Sequence, residues 1–177
     1  LNGVPMKLKG GCVHHDNGLL GSAAFDRAEE RKIQLLKQNG FNAVRTSHNP
    51  MSESFMSACD RLGMLVIDEA FDQWKIKKNP EDYHLYFNEW SARDIRSLVL
   101  RDRNHPSVIM WSIGNEIRER ISDNGLKIAE DLKKEILKHD NTRPVTAGVN
   151  KYWDKDRKNM LSLEKAFRHL DVAGYNY

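Results

Sequence analysis

The chain is poor in several residue types and patterns, and each shortage rules something out. Only Cys12 and Cys59 are cysteine among 177 residues. That excludes a disulfide-built scaffold, and no metal-binding cysteine spacing exists. Cys12 lies in an apolar strand pattern and Cys59 in a helical one, so both are expected to be buried free thiols. No apolar run approaches the roughly 18 residues of a membrane span, and the first residues do not read as a signal peptide. There is no Gly-rich phosphate loop, which argues against a nucleotide cofactor, and no serine stands in a nucleophile-elbow pattern. Neither sign of charge dominates: 28 Lys and Arg face 25 Asp and Glu, for a net charge of +3. The densest basic clusters, Lys75, Lys77 and Lys78, then Lys155, Arg157 and Lys158, read as solvated loops rather than a nucleic-acid footprint.

What is present suffices for a globular core, with 40% hydrophobic and 30% charged residues. Strand and helix patterns alternate along the chain. A first strand is expected over Met6 to Val13, followed by His14, His15 and Asp16. A helix is expected over Asp26 to Asn39, stopped by Gly40, and then a strand over Phe41 to Thr46. Ser52 is a good N-cap for a helix that reaches Leu62 and stops at Gly63. Met64 to Ile67 reads as a third strand, followed by Asp68 and Glu69. A long helix is expected over Glu81 to Arg103, with Trp90, Ile95, Leu98 and Val99 on its apolar side. The near-continuous apolar run Val108 to Trp111 makes a fourth strand, covered on both faces. It leads through Gly114 into Asn115 and Glu116. A helix over Ser122 to His139, a strand over Val145 to Val149, a short helix over Leu161 to His169 and a strand over Leu170 to Tyr177 complete the pattern.

That is β-α repeated five times plus one strand, the signature of parallel strands with right-handed helical crossovers. The expected class is α/β, of the (β/α) TIM-barrel type. About six parallel strands with five intervening helices make it incomplete, since a whole barrel takes roughly 250 residues. Each polar cluster follows a strand, and in such folds those loops share one face. The expected site therefore gathers His14, His15, Asp16, Arg45, His48, Asp68, Glu69, Asn115, Glu116, Asn150, Asn176 and Tyr177, with Trp74 and Trp111 as an aromatic floor. Carboxylates, amides, imidazoles and aromatic rings suit a neutral polyol. A metal site built from His14, His15, Asp16 and Glu69 is the competing possibility.

The segments LNGVPMKLKGGCVHHD, AVRTSHNP, LVIDEAFDQW, RDRNHPSVIMWSIGNE and DVAGYNY together resemble the catalytic barrel of family 2 glycoside hydrolases, in order and from end to end. The resemblance implies that residues 1–177 are part of a (β/α)8 catalytic domain. It implies a retaining double-displacement hydrolysis of terminal β-glycosidic bonds, most simply of a β-galactoside. Glu116 matches the general acid/base and Asn115 the residue that bonds the sugar 2-hydroxyl. By the same matching His14 and His48 hold sugar hydroxyls or the transition state, Arg45 orders the site carboxylates and Tyr177 partners the nucleophile. Asp16, Trp74 and Asn176 complete the candidate substrate contacts.

Two departures qualify the match. The family nucleophile is a glutamate at the end of a seventh strand, and no Glu here matches it, so this piece by itself is expected to lack the covalent step. Some members bind Mg²⁺ through a glutamate in the loop after the third strand, where this chain has Gln73, so the resemblance leaves Mg²⁺ open without supporting it and no cofactor is expected. The chain opens on Leu1 rather than Met, which points to a segment of a longer protein, and localisation is not readable. The expected partners are a β-linked carbohydrate, the remaining strands and domains of the whole protein, or a second copy paired through the open barrel edges. Neither nucleic acid nor a membrane is expected. The alternative reading is a non-catalytic carbohydrate-binding or structural domain.

Overall fold

A computed structural model describes residues 1–150 and 164–177. The basic cluster of Lys155, Arg157 and Lys158, and the first part of the helix expected over Leu161 to His169, lie outside the described residues. Six strands form one parallel sheet in sequence order, curled into a half-barrel: β1 (Gly10–Val13), β2 (Ala43–Thr46), β3 (Leu65–Glu69), β4 (Val108–Asn115), β5 (Val145–Val149) and β6 (Gly174–Tyr175). Between them run α1 (Asp26–Gln38), α2 (Glu53–Leu62), α3 (Phe87–Asp102) and α4 (Asp123–Leu137), with a 3-10 turn over Glu164–Phe167 before β6.

Local chemistry sets the boundaries. The Ser52 hydroxyl accepts from the Phe55 amide and caps α2, while Gly63, at φ 68°, ends it in the left-handed conformation. Ser122 caps α4 in the same way through Gly125. The first strand is shorter than the expected Met6 to Val13. Upstream of Gly10 the Asn42 side chain replaces the ladder, bonding the Lys9 amide at 2.7 Å and the Lys7 carbonyl at 3.0 Å. The sixth strand is only two residues of the expected eight. The Asp171 carboxylate takes the Val145 amide at 2.9 Å where a backbone carbonyl would otherwise pair. The long helix also begins late. Asp82 accepts from the backbone amides of Lys78, Asn79 and His84, and this local turn outcompetes helix until Phe87.

The core lies between sheet and helices. Val44, Val66, Trp111 and Ile113 meet Ile33, Phe55, Met56, Ile95, Leu132 and Ile136. Strand alternation sends successive side chains to opposite faces, and this corrects three expectations, while a fourth, Trp90, is corrected on helix α3. Trp111 is fully buried toward the helices, with its indole N–H on Asp140, and forms no floor to a site. Asp68 also points outward, beside Asp102, whereas Glu69 points into the barrel. Cys12 opens on the concave face and is exposed, while Cys59 is buried as expected and its thiol is pushed up by that burial. Trp90 sits on the surface with the Arg93 guanidinium 4.2 Å from its ring centre, and Phe87 fills the core position instead.

Candidate active site

The strand ends converge on one guanidinium. Arg45, on β2, donates through Nε to Glu69 Oε2 at 2.9 Å, through Nη2 to Asn115 Oδ1 at 2.9 Å, and through Nη1 to Asn176 Oδ1 at 2.9 Å. One side chain thus ties together the ends of β2, β3, β4 and β6. It fits because position 148 on β5 is glycine: a Cβ there would lie 2.4 Å from Arg45 Nη2. Glu69 is fully buried and fully engaged. His48 Nδ1 stands 2.6 Å from its Oε1, and Ser112 Oγ donates to its Oε2 at 2.5 Å. Such a carboxylate serves as an anchor, because every approach to it is taken by a partner.

Glu116 differs in each respect. It leaves β4 at φ 48°, a sparsely populated conformation for a side-chain-bearing residue, fixed by its own amide donating to Gly148 O at 2.7 Å. Asn176 Nδ2 donates to its Oε1 at 3.0 Å and Asn150 Nδ2 to its Oε2 at 3.1 Å. The Tyr177 hydroxyl bonds the same carboxylate. Burial pushes the Glu116 carboxyl up, but Asn176, Tyr177, the Lys78 charge and Asn150 outweigh it and hold it below the usual carboxylate range. Glu116 remains half-buried and opens on a cavity of about 530 Å³ inside the barrel, lined in part by Cys12, Arg45, His48, Asn115, Asn176 and Tyr177.

The other expected residues separate into two groups. His14 is exposed at the rim and meets the His48 ring edge-on, 5.6 Å between centres. His15 is held by the Pro50 carbonyl at 3.0 Å, and Asp16 closes a turn onto the Gly18 amide at 2.9 Å. Neither lines the central cavity. With Glu69 sealed, the four residues of the competing metal site do not converge. Among the described residues no group of three or more His, Cys, Asp or Glu is placed to hold an ion. Trp74 is corrected to a packing residue. It is 2% exposed, its indole N–H donates to Ile113 O at 2.9 Å, and its ring packs near Phe87. Gln73 is buried and lines a separate cavity of about 610 Å³ between the β3 loop and α3.

Several site residues escape sequence reasoning. Lys78, expected in a solvated cluster, turns inward: Nζ reaches Asp72 Oδ1 at 2.7 Å and Asn115 O at 2.9 Å. Asp72 in turn accepts from Asn115 Nδ2 at 2.9 Å. The donors that would hold a cation next to Asn115 are thus already satisfied by an ammonium. Ser112 and Gly148 also belong to the site. For Ser112 the signal was present, since strand alternation from Trp111 places it on the inner face.

Comparison with known proteins gives this geometry a context. Residues 1–171 match the family described as glycosyl hydrolases family 2, TIM barrel domain. The chain is 44% identical, over its whole length, to a beta-galactosidase, BoGH2A, of Bacteroides ovatus, of which the match covers 24%. A crystal structure of a glycosyl hydrolase family 2 member from Bacteroides cellulosilyticus is similar with a TM-score of 0.92 and 57% identity, over 99% of this chain and 22% of that one. The beta-glucuronidase of Ruminococcus gnavus is similar with a TM-score of 0.82 and 28% identity, over 99% of this chain and 30% of that one. The chain therefore spans about a quarter of the length of such relatives.

Proposed function

The chain belongs to family 2 of the glycosyl hydrolases, and on that premise we propose that it forms the acid/base half of a retaining β-glycosidase site, most simply a β-galactosidase. One observation carries the reading. Glu116 is the inward carboxylate at the strand ends that stays open to the cavity, and its two oxygens are oriented by separate amides, Asn176 and Asn150. A carboxyl oriented in that way meets the glycosidic oxygen with a fixed lone pair or proton.

In this reading a nucleophilic carboxylate from a later barrel strand attacks the anomeric carbon. The C1–O bond to the leaving group breaks as the Glu116 proton passes to the departing oxygen. Water then attacks the same carbon from the leaving-group side, Glu116 takes its proton, and the ester to the nucleophile breaks. Glu69 does not serve as the nucleophile, because Arg45, His48 and Ser112 occupy it. The role of proton donor requires a raised Glu116 pKa, and a second carboxylate roughly 5–5.5 Å away supplies the repulsion that raises it. Tyr177, which turns to Glu116 here, would turn to that incoming group. Asn115, held by Arg45 and Asp72, presents its amide toward a sugar 2-hydroxyl, and His14 and His48 stand at the rim for further hydroxyls. The remaining strands would also cover the free edges of β1 and β6.

The test is a panel of 4-nitrophenyl β-glycosides offered to the whole protein, with the first-formed sugar followed by proton NMR. Release of a β-configured sugar, fastest from the galactoside, is expected. An α-configured first product, or no turnover of any glycoside, overturns the reading.

A further inference from the structure

Glu116 lines two cavities. Besides the central one, a second cavity of about 300 Å³ lies on its outer side, lined by Lys78, Glu116, Arg118, Arg120 and Asn150. Glu116 is the single residue common to the two linings. Three of the five outer residues are cations, and Glu116 is the only carboxylate among them. Arg118 is exposed, and no ion pair or hydrogen bond engages its side chain among the described residues. Arg120 spends its guanidinium on backbone carbonyls, Nη1 on Ile117 O at 2.6 Å and Nη2 on Asn150 O at 3.3 Å. Its Nε has no partner although it is buried, and the same holds for Asn150 Oδ1. Glu116 attracts Arg120 through space without hydrogen-bonding it, so this half-buried guanidinium lacks a paired carboxylate, and an anion in the cavity would supply one to the exposed side of Arg120 and to Arg118.

Resting on the glycosidase reading, we propose that the outer cavity is the leaving-group site, and that it selects a leaving sugar bearing a carboxylate or a sulfate. The argument is positional. An acid/base protonates the oxygen that joins the two sugars, so it must stand between the space for the departing group and the space for the retained sugar. Glu116 stands between these two cavities. The central one offers amides, an imidazole and a phenol, suited to neutral hydroxyls, and its one guanidinium, Arg45, is already taken up by Glu69, Asn115 and Asn176. The outer one offers Arg118 and Arg120, whose planar guanidinium groups pair with carboxylate or sulfate oxygens, while the Lys78 ammonium is already paired with Asp72.

The test uses the whole protein and the glycone whose aryl β-glycoside it cleaves fastest. That glycone is joined to glucose, to glucuronate and to glucose 6-sulfate, and kcat/KM is measured for each. At least one acidic disaccharide is expected to exceed the neutral one by about tenfold, as for a charge-assisted hydrogen bond in a partly shielded site. Which of the two it is identifies the anion. The Arg118→Ala variant is expected to pull that ratio toward one, and so is 0.5 M salt. Equal rates on all three disaccharides overturn the proposal and leave the glycosidase reading standing. A ratio that survives both Arg118→Ala and Arg120→Gln places the selection elsewhere and also overturns it. Failure to cleave any aryl glycoside defeats both.

Discussion

Strand β4 carries a polar network at each end, and the two are built on different principles. At its N-terminal end Arg143 donates to the backbone carbonyls of Val108 at 2.6 Å and His105 at 3.1 Å, and to Asp140 at 2.7 Å. Asp140 also takes Trp111 Nε1 at 2.9 Å and both donors of Thr142. Asp60 holds the Ser107 amide at 3.0 Å and His105 at 2.6 Å. Most of these partners are backbone or lie close in sequence, and the network pins the chain entering the strand. At the C-terminal end Arg45 joins side chains from four strands, spans 131 positions of sequence to reach Asn176, and leaves Glu116 open to two cavities. The lower network closes on itself, whereas the upper one closes on everything except one carboxylate. That is the division expected of a barrel, stability below and chemistry above, here within a single segment from Arg103 to Glu116.

The comparison breaks most visibly at Arg45. Arg45→Ala leaves Glu69 buried without its charge partner, which costs about 3–5 kcal/mol. It also releases Asn115 and Asn176, so stability and turnover should fall together. Urea titration alongside aryl-glycoside kinetics checks both, and loss of activity at unchanged stability would show that Arg45 is not the tie between the strands.

The lower network is predicted to show itself in pH alone. Burial raises the Asp140 carboxyl, but Thr142, Arg143 and Trp111 outweigh it and hold it at about 2, against 3.8 for a free carboxyl. A pKa depressed on folding stabilises above the unfolded value and is lost as pH falls through the folded one. The contribution is therefore complete above roughly pH 5 and fades between about 4 and 2. Asp140→Asn should cost about 2 kcal/mol at pH 7, from the size of that shift, and the gap to the native chain should narrow steadily in urea titrations at pH 5, 4 and 3. A constant gap would assign the loss to packing. Turnover at pH 7 should be unchanged below the unfolding transition, in contrast to Arg45→Ala.

The smallest effect is local. Ser52→Ala removes the α2 cap and should cost about 1 kcal/mol, with no change in the ratio of rates on different glycosides. A change in that ratio would couple α2 to the site through His48, four residues upstream.

Much of this was legible in the sequence, and unevenly so. The order of strands, the α2 stop at Gly63 and the meeting of Arg45, Asn115, Glu116 and Asn176 follow from period and position, because parallel strands bring their ends to one face whatever the loops do. Strand lengths were not legible, because the side chains of Asn42 and Asp171 displace backbone pairing, and a residue's type does not announce that substitution. Nor was Lys78, whose contact with Asn115 spans 37 positions and depends on a loop with no period. Trp74, Trp90 and Trp111 misled because large aromatics suit a sugar platform, a core and a surface equally well, and only the alternation of β4, the turn at Asp82 and the Trp74 bond to Ile113 O decide among them. The family resemblance added the acid/base role proposed for Glu116, which no pattern in the residues supplies.

The measurement closest to the central claim is the dependence of kcat/KM on leaving-group acidity, for the whole protein and its Glu116→Gln variant. If Glu116 protonates the departing oxygen, the native rates vary little across aryl glycosides. The variant should lose about 10²–10⁴-fold on the poorest leaving groups and little on the most activated, which steepens the plot. Parallel plots, with the same loss on every leaving group, would contradict the assignment.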